Sequence, residues 1–312
     1  MTIAGAVPVK LSAGVENWPM IAPLKIAGYT FSELDVVVVT LSDGVHVGRG
    51  EAAGVFYLGD LPPAILAQIE IVRERIERGT TRHELRALLP PSGARNAIDC
   101  ALWDLESKRA AKPVWMLAGI NVPRPLLTTF TLGADTPAIM AAGARGKYCD
   151  ARAIKLKLLG DGQDAERVRA VRAARADVRL GVDGNQGLTP QGLAALLPTL
   201  VEAGVELIEQ PCKVGEEPAP GHMRSPIPLA ADESVQSLRD LEPQVGRFEF
   251  INIKLDKCGG LTEALLMVAE CRRLGLRPMV GTMAGTSLAM TPALLVGQQC
   301  DLVDLQHHSD WR

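Results

Sequence analysis

The residues best suited to chemistry in this sequence are three lysines and three carboxylates strung along its second half: Lys155, Lys157, Asp183, Glu209, Asp232 and Lys254. Each sits in or ends a short apolar run, at 154–158, 180–185, 207–211, 229–234 and 251–257. From Lys157 the charged tips follow one another at 26, 26, 23 and 22 residues. That is close to one strand-plus-helix unit of a parallel barrel, which averages about 30 residues and carries its chemistry at the C-terminal ends of the strands. On successive strands the three acids would converge and repel unless a cation lay between them, and an all-oxygen set suits Mg²⁺. The plainer alternative is that each acid caps the helix that follows its strand.

The lysines extend this chemistry. Strand residues alternate faces, so Lys155 and Lys157 point the same way while Leu156 points oppositely. Like charges so close depress one another's pKa, and a lysine brought toward neutrality can accept a proton. The alternative is a solvated pair on an edge strand. Lys254 falls on the sixth barrel strand, four positions from the second, and so faces Lys157 across the barrel. Two bases on opposite faces suit removal of a proton from one face of a carbon and its return on the other. A cation on an adjacent carboxylate would stabilise the enediolate between the two steps.

The elements that must position these groups are legible as two textures. Residues 1 to about 60 are β-rich: the β-branched run 35–41 ends in the turn Ser42-Asp43-Gly44, and 45–50 returns as a hairpin. The stretch between Trp18 and Phe31, with two prolines and a glycine, is expected to be a loop, as is 51–59. Ile65, Ile69, Val72 and Ile76 then recur at helical spacing, as do Ala97, Ala101, Leu102 and Leu105, with Pro90-Pro91-Ser92-Gly93 between them. From Pro125 strands and helices alternate. Strands are expected at 126–131, 155–158, 179–183, 206–209, 228–231, 250–255, 277–281 and 302–305. Helices are expected at 137–149, 165–176, from about 190, and at 261–274. The fold class is therefore α/β: a TIM-like barrel (123–312) behind an N-terminal α+β domain (1–122).

The 312 residues suffice for one large barrel plus a smaller domain. At 47% hydrophobic and 22% charged the chain is globular, and its net charge of −3 gives no reason to expect nucleic acid or an anionic membrane as partner. Six scattered cysteines without a C-x-x-C pair suggest a reducing compartment. The opening MTIAGAVPVK lacks a basic region followed by a long apolar run, and no apolar run is long enough to span a bilayer. A cytoplasmic protein acting on a small molecule, as a homo-oligomer, is expected.

The motifs KLK, VDGNQ, IEQP, ADES and INIKLDKCGGLTEAL, with GARNAIDCALWDLESK at 93–108, resemble the series of the enolase superfamily, muconate lactonizing subgroup, over about residues 18–305. Within it they most resemble dipeptide epimerases of the L-Ala-D/L-Glu type. The resemblance implies a (β/α)7β barrel under a capping domain, with Mg²⁺ held by Asp183, Glu209 and Asp232. It implies Lys157 and Lys254 as the acid/base pair with Lys155 beside them, and epimerisation of a dipeptide at the α-carbon next to a carboxylate. Phe31, Asp304, Gln306, Gly281 and Met283 take the positions that contact substrate. An N-acylamino acid racemase or o-succinylbenzoate synthase would share the core set, and a metal-binding homologue without activity is a third reading. The seventh strand leads into Gly281-Thr-Met-Ala-Gly-Thr-Ser287 without the histidine of mandelate-racemase-like and dehydratase relatives.

The chain departs from the epimerase pattern at three places. Asp304-Leu305-Gln306 replaces the Asp-x-Asp pair that holds a substrate ammonium. Phe31 stands where Ala-Glu enzymes carry arginine, which predicts an apolar C-terminal residue in the substrate. The sequence stops at Arg312, before the segment that returns to the capping domain. His46, His83 and His222 read as surface residues, and His307 and His308 as solvated rather than lining the site.

Overall fold

The computed structural model describes residues 7–26, 29–217, 219 and 225–305. Three antiparallel strands, β1 (Lys10–Ile26), β2 (Tyr29–Ser42) and β3 (Val47–Ala52), form a sheet with β2 central. Helices α1 (Pro62–Glu77), α2 (Arg82–Leu88), α3 (Gly93–Ala110) and the short α4 (Val114–Leu117) follow. In β2, Val37, Val39 and Leu41 pack with Ile65, Ile69, Ala97 and Leu105 of the helices. The alternate residues Leu34, Val36 and Val38 pack against Ala284 and Leu288 of the second domain. A strand covered on both faces needs an unbroken apolar run, which is what 36–39 provides. Helix α3 lies close on β3 because that strand has glycines there: a Cβ on Gly50 would stand 2.1 Å from the carbonyl oxygen of Ala97.

The stretch between Trp18 and Phe31 is not the expected loop. The β1–β2 ladder runs on through it, with a register break between Pro19 and Leu24. The prolines are tolerated because β1 is an edge strand, where a missing N–H need not face a partner. Helix α2 was not anticipated either, although Thr81 and Glu84 form a reciprocal capping box at its start.

The second domain has eight parallel strands hydrogen-bonded in sequence order, the sheet of a (β/α)7β barrel. They are β4 (Phe130–Leu132), β5 (Ala153–Lys157), β6 (Arg179–Asp183), β7 (Val205–Glu209), β8 (Leu229–Ala231), β9 (Phe250–Ile253), β10 (Arg277–Gly281) and β11 (Leu302–Asp304). The ends meet through Thr128 and Thr129, whose hydroxyls donate to the carbonyls of Leu305 and Val303. The helices are α5 (Pro137–Arg145), α6 (Asp164–Ala174), α7 (Pro190–Glu202), α8 (Leu255–Cys258), α9 (Leu261–Arg273) and α10 (Ser287–Gly297). Between β8 and β9 two 3-10 turns, Leu238–Asp240 and Glu242–Gln244, replace a helix. Strand 250–255 ends earlier than expected, because Leu255 begins α8.

Inside the barrel, Leu207, Ala230, Phe250 and Met279 form an apolar plug with Leu302 against it. Strand residues two positions on share the same face, so Glu209, Asp232, Asn252, Gly281 and Asp304 sit directly above that plug. The capping domain docks through α3. Asp99 accepts from the Thr262 amide (2.9 Å) and hydroxyl (2.6 Å), and Trp103 donates to the Thr262 hydroxyl at 3.0 Å. Gly259 and Gly260 adopt positive φ there, and a Cβ on Gly260 would fall 2.6 Å from Asp99. Among the described residues no helix is long and apolar enough to cross a membrane.

Candidate active site

Lys155 and Lys157 both end β5 on its inner face, while Ile154 and Leu156 are fully buried among the outer helices. Asp183 pairs in register with Lys157 on one side and Glu209 on the other. Asp232 follows β8 directly, and Lys254 follows β9. The six residues come together at the C-terminal mouth of the barrel, all of them largely buried.

Each of the three acids is held the same way. One oxygen is fixed by a scaffold donor: Asp183 Oδ1 by the Asn185 amide (2.8 Å), Glu209 Oε1 by Asn252 Nδ2 (2.7 Å), Asp232 Oδ1 by Lys257 Nζ (2.6 Å). The other oxygen faces a lysine of the mouth: Asp183 Oδ2 meets Lys157 at 2.6 Å, Glu209 Oε2 meets Lys155 at 2.9 Å, Asp232 Oδ2 meets Lys254 at 2.7 Å. Lys155 also reaches Asp183 at 3.5 Å and donates to Asp304. As placed, no three acidic side chains among the described residues are gathered to hold one ion. The donor set nevertheless fits one: three oxygens on neighbouring strands, each oriented by its partner oxygen and each facing positive charge.

The electrostatics follow from burial and pairing. Burial, with Asp183 beside it, pushes the Glu209 carboxyl up to about 7. Burial also works against the charged forms of Asp183 and Asp232. The lysines overcome it, and both carboxyls lie below the usual range. Lys155 does not behave as the sequence suggested, and Lys254 shares its state. Burial favours their neutral forms, but Asp304, Glu209 and Asp183 around Lys155, and Asp232 and Glu209 around Lys254, hold both above the ordinary lysine value. The mutual depression expected for neighbouring lysines is reversed at Lys155, because carboxylates surround it.

A cavity of about 370 Å³ opens over this cluster. Lys155, Lys157, Asp232, Lys254, Thr282, Met283, Ala284 and Asp304 line its barrel side. Met20, Glu33, Leu34, Asp35, Phe56, Tyr57 and Leu61 line the side given by the capping domain. Of the expected substrate contacts, Met283 and Asp304 therefore line the cavity. Gly281 is buried at the end of β10, where a Cβ would meet Asn252 at 2.6 Å. Phe31 lies in β2 opposite Leu24, and its side chain is outside the described residues. Gln306, His222, His307 and His308 also lie outside them. His83 is exposed, and His46 is half-buried beside Asp43.

Asn252, Lys257, Asn185, Gln210 and Glu233 were not singled out from sequence. Asn252 was open to detection, since it alternates with Phe250 and Lys254 on one face of β9. Glu233 stands at the mouth with its carboxyl pushed up to about 7 by burial and by Asp232. Its Oε2, like Asn185 Oδ1, is buried without a hydrogen-bond partner.

Comparison with known proteins gives a consistent picture. A family model described as mandelate racemase / muconate lactonizing enzyme, N-terminal domain, matches residues 10–119, and one described as enolase C-terminal domain-like matches 139–312. The L-Ala-D/L-Glu epimerase of Escherichia coli (strain K12) is 39% identical over 291 residues, covering 93% of this chain and 90% of the relative. An enolase family member from Agrobacterium tumefaciens with homology to dipeptide epimerases, solved with sodium and L-Ala-L-Glu, superposes with a TM-score of 0.94. It is 38% identical, over 97% of this chain and 93% of that one. The dipeptide epimerase of Enterococcus faecalis V583 complexed with Mg and L-Leu-L-Tyr gives a TM-score of 0.87 at 28% identity, over 95% and 90%.

Proposed function

The chain belongs to the mandelate racemase and muconate lactonizing enzyme family of the enolase superfamily, and from that premise we propose that it is a Mg²⁺-dependent dipeptide epimerase. The observation that carries this reading is the shared geometry of Asp183, Glu209 and Asp232, each with one oxygen locked and one facing the mouth. These three would hold the ion. When bound, Mg²⁺ would offset part of the negative charge gathered there and would draw electron density from the substrate carboxylate, making the neighbouring C–H more acidic.

Lys157 and Lys254 lie on strands four apart in a ring of eight and line the same cavity. One takes the α-proton as an amine while the other, as an ammonium, gives its proton to the opposite face. The reverse direction exchanges their roles. Neither can act as base while its proton is held by Asp183 or Asp232, so the acids must first face other positive charge. Lys155, among three carboxylates, stays an ammonium and supplies fixed positive charge beside the substrate carboxylate. Asp304 at the cavity wall would receive the substrate's α-ammonium.

The capping side offers apolar Met20, Leu34, Phe56 and Leu61 together with the acids Glu33 and Asp35, and no arginine among its described residues. A substrate carboxylate placed there would meet two acids and no cation among those residues, and its desolvation would be poorly compensated. The substrate favoured is therefore a dipeptide with an apolar C-terminal side chain. We take 1–122 as the capping domain, 123–312 as the barrel, and the active form as a cytoplasmic homo-oligomer. The test is incubation with L-Ala-X dipeptides in D₂O, read by mass spectrometry and chiral separation. Deuterium at the α-carbon of one residue together with its inversion supports the reading. Inversion without deuterium, or neither with any dipeptide, rejects it.

A further inference from the structure

Gln210, the third residue of the IEQP run, follows Glu209 directly and is fully buried. Its backbone is left-handed, with φ at 27°, a region that a side chain other than glycine's rarely adopts. Strain of this kind persists only where surrounding interactions over-determine it. Here they do so through the side-chain amide. Its Oε1 accepts from the backbone N–H of Asp232 (2.9 Å) and of Ser234 (3.1 Å). Its Nε2 donates to the Ser234 hydroxyl (2.8 Å) and the Cys212 carbonyl (3.1 Å), with Glu217 Oε1 at 3.4 Å. The Gln210 amide N–H donates to the Ala230 carbonyl at 2.9 Å, and its carbonyl accepts from Gln186 at 2.8 Å.

One side chain thus ties the tip of β7, which carries Glu209, to the turn after β8, which carries Asp232. The chemistry requires an amide: two N–H groups need an acceptor while a hydroxyl and a carbonyl take donated protons, and no carboxylate or thioether supplies both. We propose that Gln210 is a positioning residue that fixes the backbone of Asp232 relative to Glu209, so that their mouth-facing oxygens can share one cation. The inference rests on the Mg²⁺ reading above. Groups that orient metal ligands through hydrogen bonds typically change metal affinity about 10–100-fold when removed.

The experiment is calorimetric titration of Mg²⁺ into the full chain, without substrate, for the wild type and two variants. Gln210→Met keeps the volume and removes every side-chain hydrogen bond. Gln210→Gly removes the clamp but suits the positive φ, so the backbone turn is kept without strain. Both should weaken Mg²⁺ binding about 10–100-fold with unchanged circular dichroism, and Ser234→Ala should weaken it less. If Gln210→Met does not fold, Gln210→Gly carries the test alone. If Gln210 serves only the turn, Gln210→Gly will bind Mg²⁺ as the wild type does, and the proposal is overturned. A wild type that binds no Mg²⁺ overturns the metal reading itself and this inference with it.

Discussion

Glu51 shows how the capping domain can control a barrel loop that it does not contain. It is 2% exposed at the end of β3, and its carboxylate receives the Thr286 N–H at 2.7 Å and the Thr286 hydroxyl. Thr286 caps α10 and ends the loop whose Thr282, Met283 and Ala284 form one wall of the cavity. Two hydrogen bonds to a carboxylate are worth about 1.5–3 kcal/mol each. Burial, the main influence on Glu51, raises its pKa and subtracts from that sum. A net value of about 1.5–3 kcal/mol remains for holding the loop, and each ~1.4 kcal/mol lost from substrate binding is tenfold. Glu51→Ala should therefore raise KM about 10-fold or more, with kcat changed by no more than about 3-fold, since no group at the reacting carbon is touched. Glu51→Gln keeps one acceptor oxygen and should fall between. Hydrogen exchange of the 282–290 segment should quicken in Glu51→Ala. Steady-state kinetics at saturating Mg²⁺ decide the matter: a wild-type KM in Glu51→Ala, or a fall confined to kcat, refutes the coupling.

Other expectations can be checked with the same assays. Lys157→Ala and Lys254→Ala should each lose epimerisation by about 10²–10⁴-fold, the usual contribution of a positioned acid or base. Any residual α-proton exchange in D₂O should come from one epimer only, and a different one for each variant; equal exchange from both would contradict the two-base scheme. Wild type should turn over L-Ala-L-Leu or L-Ala-L-Phe better than L-Ala-L-Glu, and Phe31→Arg should narrow or reverse that order, as competition between the dipeptides will show. Asp256, which accepts the Gly54 N–H at 2.9 Å where capping domain and barrel meet, has its carboxyl pushed up to about 7, first by burial and then by Asp60 and Glu51. Its folded pKa exceeds the unfolded value of about 3.9, so its contribution is most favourable below pH 4 and is lost as pH rises through 7. Asp256→Asn should therefore gain stability relative to wild type between pH 4 and 8, on the order of 2–4 kcal/mol. Urea unfolding at several pH values would show a constant difference if this is wrong.

Much of the site was legible because strand periodicity and charge coincide. Lys155, Asp183, Glu209, Asp232 and Lys254 each lie two residues beyond an inward-facing neighbour, so an alternating pattern that ends in charge marks the mouth of the barrel. The run 36–39 announced a strand, but only the structure shows that both its faces are covered, by α1 and α3 on one side and Ala284 and Leu288 on the other. The region from Trp18 to Phe31 was misread because proline signals a loop only where a strand needs all its N–H groups, and an edge strand does not. Helix α2 was missed because seven residues carry too little periodicity, although Thr81-x-x-Glu84 marks its start. The state of the lysines was out of reach for a different reason. Sequence shows Lys155 next to Lys157, but not that Asp304, nearly 150 residues away, closes on the same ammonium. Gln210 was hidden likewise: it is a polar residue in a quoted motif, whose partners come from the next strand.

The central claim is that three carboxylates and two opposed lysines invert a carbon with the help of one divalent ion. It is tested most directly by following the α-proton of an alanyl dipeptide by proton NMR in D₂O, with enzyme stripped by EDTA and then returned to Mg²⁺. The signal should persist in the stripped enzyme and vanish, with the epimer appearing, once Mg²⁺ is added. Full exchange and epimerisation by the stripped enzyme would contradict the account.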